Sequence, residues 1–161
     1  MSRLWAPWRM EYVSSPGDRS TIFEDKIASD DDREALILYR GELAVVLMNL
    51  YPYNNGHLLI LPVRKVERME DLSDSELAEI MSLTKRSMSI VRDTMSADGF
   101  NFGLNAGKAA GAGIGEHIHF HIVPRWSGDN NFMPAIGNTK VMVQGLEDTY
   151  DLLRPEFDKI D

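Results

Sequence analysis

The apolar residues in the first half of the chain fall into short runs that are separated by turn signals. The stretch "ALILYRGELAVVLMNL" (35–50) has two apolar runs on either side of a central "RGE", which predicts a β-hairpin. The turn "YPYNNG" (51–56) follows, and "HLLILPV" (57–63) then predicts a third strand. Two later segments also have strand character: "FNFGLN" (100–105) and "HIHFHIV" (117–123).

Helical spacing is clearest after residue 72. Ser73 and Glu76 can form a capping box, the reciprocal side-chain pair that starts many helices. The residues that then recur at helical spacing are Leu77, Ile80, Met81, Thr84, Met88, Val91 and Met95. This pattern predicts a helix over 73–97, and Gly99 is its expected C-terminal stop.

Two shorter helical segments are also indicated. The acidic segment Asp30–Glu34 predicts a short helical turn, and the tail (145–161) predicts a C-terminal helix. One face of that tail carries Leu146, Tyr150, Leu153 and Phe157. Pro155 is expected to limit or kink the helix. Hairpin strands, then a helix, then more strands predict an antiparallel α+β domain.

Composition is that of an ordinary folded protein, with 43% hydrophobic and 26% charged residues. The 161 residues fit a single domain (1–161), in which the turn "SSPGDRS" (14–20) ends an N-terminal aromatic arm (1–20). The net charge of −8 argues against a protein that coats nucleic acid, because that needs a basic face. A small phosphorylated ligand needs only a local positive pocket.

The absence of cysteine excludes disulfides and thiolate metal sites. No apolar run approaches the ~20 residues that span a bilayer, and the N-terminus lacks the apolar region of a signal peptide. We therefore expect a soluble, cytoplasmic protein with no membrane partner.

Three of the four histidines stand at alternate positions, His117, His119 and His121. Alternate side chains of a strand share one face and lie about 6.6 Å apart. Their neighbours on or near the opposite face are Ile118, Phe120, Ile122 and Val123. A plain solvent-facing strand surface is one interpretation, but Lys, Thr or Glu would serve there as well, so the row favours chemistry.

Two kinds of chemistry remain open. Histidines two apart on a strand can chelate zinc or iron, but such sites usually need a third ligand. The nearest carboxylate, Glu116, is expected to point to the opposite face. Alternatively, one imidazole is a nucleophile towards phosphorus and its neighbours supply hydrogen-bond donors. The glycine-rich loop "NAGKAAGAGIGE" (105–116) fits a phosphate ligand, although no Ser or Thr follows Lys108 and no helix follows the loop, so it is not a Walker loop.

The segment "HIHFHIV" has the form His-φ-His-φ-His-φ-φ, where φ is apolar, and resembles the signature of the histidine triad (HIT) superfamily of nucleotidyl hydrolases and transferases. The resemblance covers nearly all of residues 4–155. It is strongest to the diadenosine tetraphosphate phosphorylase and fragile-histidine-triad-like dinucleoside polyphosphate hydrolase branch. It implies a HIT-like antiparallel sheet of about five strands with one long helix and a C-terminal helix, and a homodimer.

The resemblance also implies residue roles. His119 would attack the α-phosphate and carry the nucleotide covalently, His121 would contact the phosphate, and His117 would lie behind them. His57 would hydrogen-bond into the triad. The ligand-binding residues implied are Asn49 at the ribose, Asn105 near the phosphates, and the backbone of Gly113, Ile114 and Gly115 around the phosphate.

The chain departs from the pattern at one place. Many relatives carry Cys-x-x-Cys near the N-terminus and a histidine after the third strand, which hold zinc together with the first triad histidine. Here Thr21, Ile22, Phe23 and Glu24 stand at the first place and Lys65 at the second. We therefore expect no structural zinc and no required cofactor, although a divalent cation can accompany a polyphosphate substrate.

The implied reaction is a two-step nucleotidyl transfer from a dinucleoside polyphosphate to water or phosphate. The alternatives are nucleoside phosphoramidase or adenylyl-sulfate activity, a metal-dependent enzyme built on the histidine row, or a nucleotide-binding module without turnover. Arg125 and Trp126 could hold a second nucleotide or lie at a dimer interface. Trp5 and Trp8 are expected to pack on the body or cover the nucleotide.

Overall fold

A computed structural model of the chain describes residues 21–129, 142 and 144–160. The described part forms a five-stranded antiparallel sheet in the order β1-β2-β3-β5-β4, which confirms the predicted α+β class. The strands are β1 (Ile37–Arg40), β2 (Ala44–Met48), β3 (Leu58–Pro62), β4 (Gly99–Leu104) and β5 (Phe120–Arg125). Strand β5 therefore lies between β3 and β4, and β4 forms one edge of the described sheet.

Four α-helices lie in the described residues. They are α1 (Ile22–Ala28), α2 (Asp32–Ala35), α3 (Asp74–Met95) and α4 (Leu146–Phe157). Short 3₁₀ turns occupy Met69–Asp71 and Lys108–Ala110. None of the helices in this part of the chain is long and apolar enough to cross a membrane. The N-terminal arm (1–20), with its two tryptophans, lies outside the described residues, so the single-domain assignment stays a prediction.

Both faces of the central strands are covered, which explains why their sequences are continuous apolar runs rather than alternating ones. Every residue of β2 and β3 is buried. One face packs against α3 and α4 in a main core that includes Val46, Ile60, Ile80, Ile122 and Leu153. The other face packs against α1 in a smaller cluster of Phe23, Ala35, Ile37, Val45, Leu47, Leu59 and Leu61. Each fully buried aliphatic side chain contributes about 1.5–3 kcal/mol.

The long helix begins as the capping box predicts. The Ser73 hydroxyl accepts from the Glu76 main-chain N–H, and the Glu76 carboxylate accepts from the Ser73 main-chain N–H at 2.8 Å. The expected stop at Gly99 is wrong. The helix ends at Met95, where Ser96 takes the left-handed conformation with φ 53°, and Gly99 already begins β4.

The two shorter helical segments are confirmed. Asp31 caps α2 by accepting from the Glu34 main-chain N–H. In α4 the helix runs through Pro155 and ends two residues later, at Phe157. Because Pro155 lies in the last turn, it limits the helix rather than interrupting it.

Candidate active site

The histidine row lies in and just before β5, which begins at Phe120 rather than at His117. The alternation holds nevertheless, because Ile118, Phe120 and Ile122 enter the main core and the imidazoles face the other way. His117 is 0% exposed and His119 8%. A solvent-facing strand surface is therefore wrong for these two rings, and their burial needs a specific set of hydrogen bonds.

The hydrogen bond of His119 defines which ring nitrogen can react. Its Nδ1 lies 2.9 Å from the main-chain carbonyl oxygen of His117. A carbonyl only accepts, so Nδ1 carries the proton and the lone pair is on Nε2. Burial lowers the pKa of His119 below the ordinary 6.5. The ring is therefore neutral at physiological pH, with a nucleophilic nitrogen at Nε2.

A second chain of hydrogen bonds sets the tautomer of His121. The main-chain N–H of Tyr53 donates to Nδ1 of His57 at 3.0 Å, so the proton of His57 is on Nε2. That Nε2 lies 3.0 Å from Nδ1 of His121 and donates to it. The proton of His121 is therefore on its own Nε2, where it can be donated to a phosphate oxygen. The ring of Tyr53 stacks on His57 with centroids 4.8 Å apart, which keeps the relay in place.

A cleft opens in front of the rings of His119 and His121. The predicted site residues that line it are Asn49, Asn105, Gly113, Ile114, His119 and His121. His57 and His117 are buried, at 1% and 0% exposure. Nε2 of His57 is hydrogen-bonded to Nδ1 of His121, and the main-chain carbonyl of His117 accepts a hydrogen bond from His119. Gly115 is not among the lining residues. Its predicted place in the phosphate cradle, like the other ligand contacts, stays a prediction.

Asn49 has a structural role that is visible in the fold. Its Oδ1 accepts from the main-chain N–H of Tyr51 at 2.9 Å, and its Nδ2 lies 3.4 Å from Nδ1 of His57. The side chain therefore stabilises the turn after β2 and stands at the wall of the cleft. Contact with a ribose from this position is compatible with that geometry and stays a prediction.

Helix α1 supplies cleft residues that sequence reasoning missed. Ile22, Phe23 and Lys26 all line the cleft. The ring of Phe23 lies 5.0 Å from that of His119 and 5.7 Å from that of His117. Lys26 donates from Nζ to the main-chain carbonyl of Ala35 at 2.8 Å, and burial lowers its pKa. The pattern "IFEDKIA" has helical spacing, but nothing in it indicates that the helix packs against the distant histidine row.

Arg125 and Trp126 do not line the cleft. The Arg125 guanidinium makes two hydrogen bonds to the Asp129 carboxylate and one to Asn101. The indole of Trp126 packs against the main core, and its Nε1–H donates to the main-chain carbonyl of Met95 at 3.1 Å. These contacts favour a structural role for both residues over stacking on a base.

The residues at the zinc position of relatives do not fit a metal ion. Nζ of Lys65 lies 2.6 Å from the carboxylate of Glu24. A cation therefore already occupies the position beside Glu24, which is the only carboxylate among the four residues at this place. The remaining two are Thr21 and the buried His117. In the described part of the chain, no group of three or more His, Cys, Asp or Glu side chains is arranged to hold a metal.

The profile of the HIT domain family matches residues 31–128. The chain belongs to this family. Among its curated relatives, it is 41% identical over 165 aligned positions to "AP-4-A phosphorylase" of Mycobacterium tuberculosis (strain ATCC 25618 / H37Rv), across 98% of this chain and 85% of that one. It is 38% identical over 93 positions to "Bis(5'-adenosyl)-triphosphatase" of Dictyostelium discoideum, across 58% of this chain and 62% of that one.

Solved structures agree on the fold. A zinc-bound histidine triad family protein from Mycobacterium smegmatis superposes with a TM-score of 0.70 at 26% identity, and the match covers 89% of this chain and 96% of that one. The HIT-like architecture expected from the resemblance is confirmed.

Proposed function

We propose that this protein is a nucleotidyl transferase that cleaves dinucleoside polyphosphates such as diadenosine tetraphosphate through a covalent intermediate on His119. The observation that carries the proposal is the bond from His119 Nδ1 to the His117 carbonyl, which leaves Nε2 as the reactive nitrogen of a neutral ring at the cleft. The similarity to relatives named AP-4-A phosphorylase and bis(5'-adenosyl)-triphosphatase supports this substrate class.

In the first step, Nε2 of His119 attacks the α-phosphorus. A P–N bond forms, the P–O bond to the rest of the polyphosphate breaks, and ATP leaves when the substrate is diadenosine tetraphosphate. The Nε2–H of His121 is a donor for a phosphate oxygen, and backbone N–H groups of the loop around Gly113 are further donors. Holding the attacking nitrogen in line supplies much of the rate.

In the second step, an acceptor oxygen attacks the same phosphorus and the P–N bond breaks. Water as acceptor gives AMP, whereas inorganic phosphate gives ADP. We propose phosphate as the acceptor, because the 41% identical relative across 98% of the chain is named a phosphorylase. Ile22, Phe23 and Leu47 line the cleft and would contact the base, and Asn49, which also lines it, would contact the ribose.

The test is incubation with diadenosine tetraphosphate, with and without inorganic phosphate, followed by chromatography of the products. We expect ADP and ATP when phosphate is present. AMP and ATP regardless of phosphate would make the enzyme a hydrolase. Turnover of an adenosine phosphoramidate or adenylyl sulfate, but not of the dinucleotide, would contradict the substrate assignment. If enzyme that has been treated with a chelator and desalted stays inactive with Mg²⁺-loaded substrate and recovers only with zinc or iron, this would contradict a histidine nucleophile that needs no resident metal.

We also infer a homodimer in the cytoplasm. Support for the dimer comes from β4, which lies at the edge of the sheet and pairs only with β5 within the described residues. Its Phe102 is 40% exposed, and an exposed edge strand can pair with another chain. Light scattering coupled to size-exclusion chromatography gives the mass directly, and a monomer at micromolar concentration would contradict the inference.

A further inference from the structure

Three charged or ionisable side chains, those of Glu24, Lys65 and His117, lie close together beside the candidate active site. Nζ of Lys65 lies 2.6 Å from Oε1 of Glu24, and Oε2 of Glu24 lies 3.8 Å from Nδ1 of His117. The Glu24 side chain is 28% exposed, and that of His117 is fully buried. The three residues come from α1, from the loop after β3 and from the segment before β5, so their contacts join three separate elements.

The loop after β3 holds the His117 segment at further points. Nε2 of His117 donates to the main-chain carbonyl of Pro62 at 2.9 Å. The main-chain N–H of Ile118 donates to the carbonyl of Val66 at 2.6 Å. Lys65 lies between these two acceptors in sequence, and its partner Glu24 lies 3.8 Å from Nδ1 of His117, which is too far for a hydrogen bond. The imidazole of His117 is therefore fixed from its Nε2 side by the loop itself and faces, on its Nδ1 side, a carboxylate that the same loop neutralises.

Glu24 also sits next to Phe23 in α1, and the ring of Phe23 contacts both His117 and His119. A shift of α1 away from Lys65 would move this ring off the two imidazoles. The main-chain carbonyl of His117 is the acceptor that orients His119, so a shift of His117 also moves the nucleophile. Both paths lead from the ion pair to the direction of Nε2 of His119.

We propose that Glu24 and Lys65 form a latch that docks α1 against the His117 segment and thereby positions His119 for attack. The inference rests on the proposed function only for the role of His119 as nucleophile. Glu24 and Lys65 are positioning residues, because neither lines the cleft in front of His119.

The chain offers a matched control for the latch. Lys65 has a second carboxylate neighbour, Glu116, at 3.4 Å, whose side chain is 60% exposed. Glu116→Gln and Glu24→Gln each remove one negative charge beside the same ammonium, but only Glu24 faces His117. Lys65→Met removes the cation, and Lys65→Arg keeps it.

We expect Glu24→Gln and Lys65→Met each to lower kcat by about 10- to 100-fold, because a misplacement of about 1 Å costs up to that factor. KM for diadenosine tetraphosphate should change less than kcat, because α1 supplies only Ile22, Phe23 and Lys26 to the cleft wall and the rest of the lining is unchanged. Lys65→Arg should restore most of kcat, and Glu116→Gln should leave it unchanged. The double variant Glu24→Gln/Lys65→Met should be little worse than the poorer single variant, because both changes break the same contact.

A spectroscopic measurement tests the latch without any substrate. The Nδ1–H of His119, hydrogen-bonded to the His117 carbonyl, gives a signal in histidine-selective ¹⁵N NMR. This signal should shift or broaden in Glu24→Gln and Lys65→Met but not in Glu116→Gln.

The outcomes separate the two proposals. A wild-type protein that does not turn over the dinucleotide contradicts the proposed function, and the NMR signal then decides the latch alone. If the wild type turns over the dinucleotide, and Glu24→Gln leaves both kcat and the His119 signal unchanged, the latch is overturned but the proposed function is not. A lower melting temperature with unchanged kcat shows that the ion pair only stabilises the fold, which also overturns it.

Discussion

The Nδ1–H of His119 donates to the main-chain carbonyl of His117, two residues earlier in the chain, at a distance of 2.9 Å. The bond uses the main chain of a neighbouring triad residue, so the orientation of the ring is fixed by the local path of the strand. Because the proton is held at Nδ1, the reactive nitrogen is always Nε2.

Replacement of this ring tests the nucleophile. We expect His119→Asn or His119→Gly to lower turnover of diadenosine tetraphosphate by on the order of 10³-fold or more, because each variant lacks the nitrogen that attacks the phosphorus. Nucleotide affinity, measured by calorimetry, should be largely retained because the rest of the cleft lining remains. In the wild type, mass spectrometry after rapid quenching should show the added nucleotidyl mass on His119. Retained turnover in either variant would remove His119 as nucleophile.

The acidic limb of the pH profile reports the same ring. Burial lowers the pKa of His119 below 6.5, and only the neutral ring attacks phosphorus. The pH at which kcat/KM for the dinucleotide has fallen to half of its plateau value should therefore lie below 6.5. The parameter kcat/KM reports the free enzyme and the first step, so the ionisation of the acceptor phosphate does not enter. A half-point of the decline above pH 6.5 would contradict a buried, neutral nucleophile.

The strand order shows which parts of this site a sequence can reveal. The face shared by the histidines follows from the period of two, and the start of α3 follows from the Ser73–Glu76 capping box, because both are local rules. The insertion of β5 between β3 and β4 and the contact of Phe23 with His119 depend on tertiary packing between distant segments. The resemblance implies His57, whose Nε2 lies 3.0 Å from Nδ1 of His121, but the bond from the Tyr53 main chain that sets its tautomer is visible only in the structure.

The helix end at Ser96 shows a different limit. Glycine is the usual residue in the left-handed conformation that closes a helix, so Gly99 was a reasonable expectation. The fold instead places Gly99 at the start of β4, paired with Arg125, and the helix closes on a serine at φ 53°, which carries a small strain. Tertiary pairing of the next strand therefore decides the end of α3.

The relay from Tyr53 through His57 to His121 can be tested by removing its middle ring. We expect His57→Phe to lower kcat by on the order of 100-fold, because His121 then loses the donor that keeps its proton on Nε2. Phenylalanine keeps the stack on Tyr53, so the fold should survive. Tyr53→Phe is the matched control, because the donor from residue 53 is its main-chain N–H. Equal losses of kcat in the two variants would contradict the relay, because Tyr53→Phe keeps both the main-chain donor and the ring stack.

Among the described residues that line the cleft, Lys26 is the only lysine or arginine. A polyphosphate is strongly anionic, so this side chain is the expected cationic contact. We expect Lys26→Met to raise KM about tenfold, which corresponds to ~1.4 kcal/mol of binding. The control is Lys159→Met, which removes a lysine that is paired with Glu156 at the C-terminal end of α4. An unchanged KM would limit Lys26 to its structural bond with Ala35, and a lower melting temperature would reveal that role.

Glu76 links the start of α3 to acid stability. Its carboxylate accepts from Ser73 and pairs with Arg64, and these partners lower its pKa from 4.5 to about 2. A carboxylate with a depressed pKa stabilises the fold at pH above 4.5, and this contribution is lost as the pH falls from 4.5 towards 2. Glu76→Gln should therefore cost about 1–2 kcal/mol in urea unfolding at neutral pH, and less in acid. The control Glu70→Gln breaks a pair whose two side chains are both 63% exposed and should change stability little. A cost of Glu76→Gln that stays the same from neutral pH into acid would show that the charge of Glu76 contributes nothing.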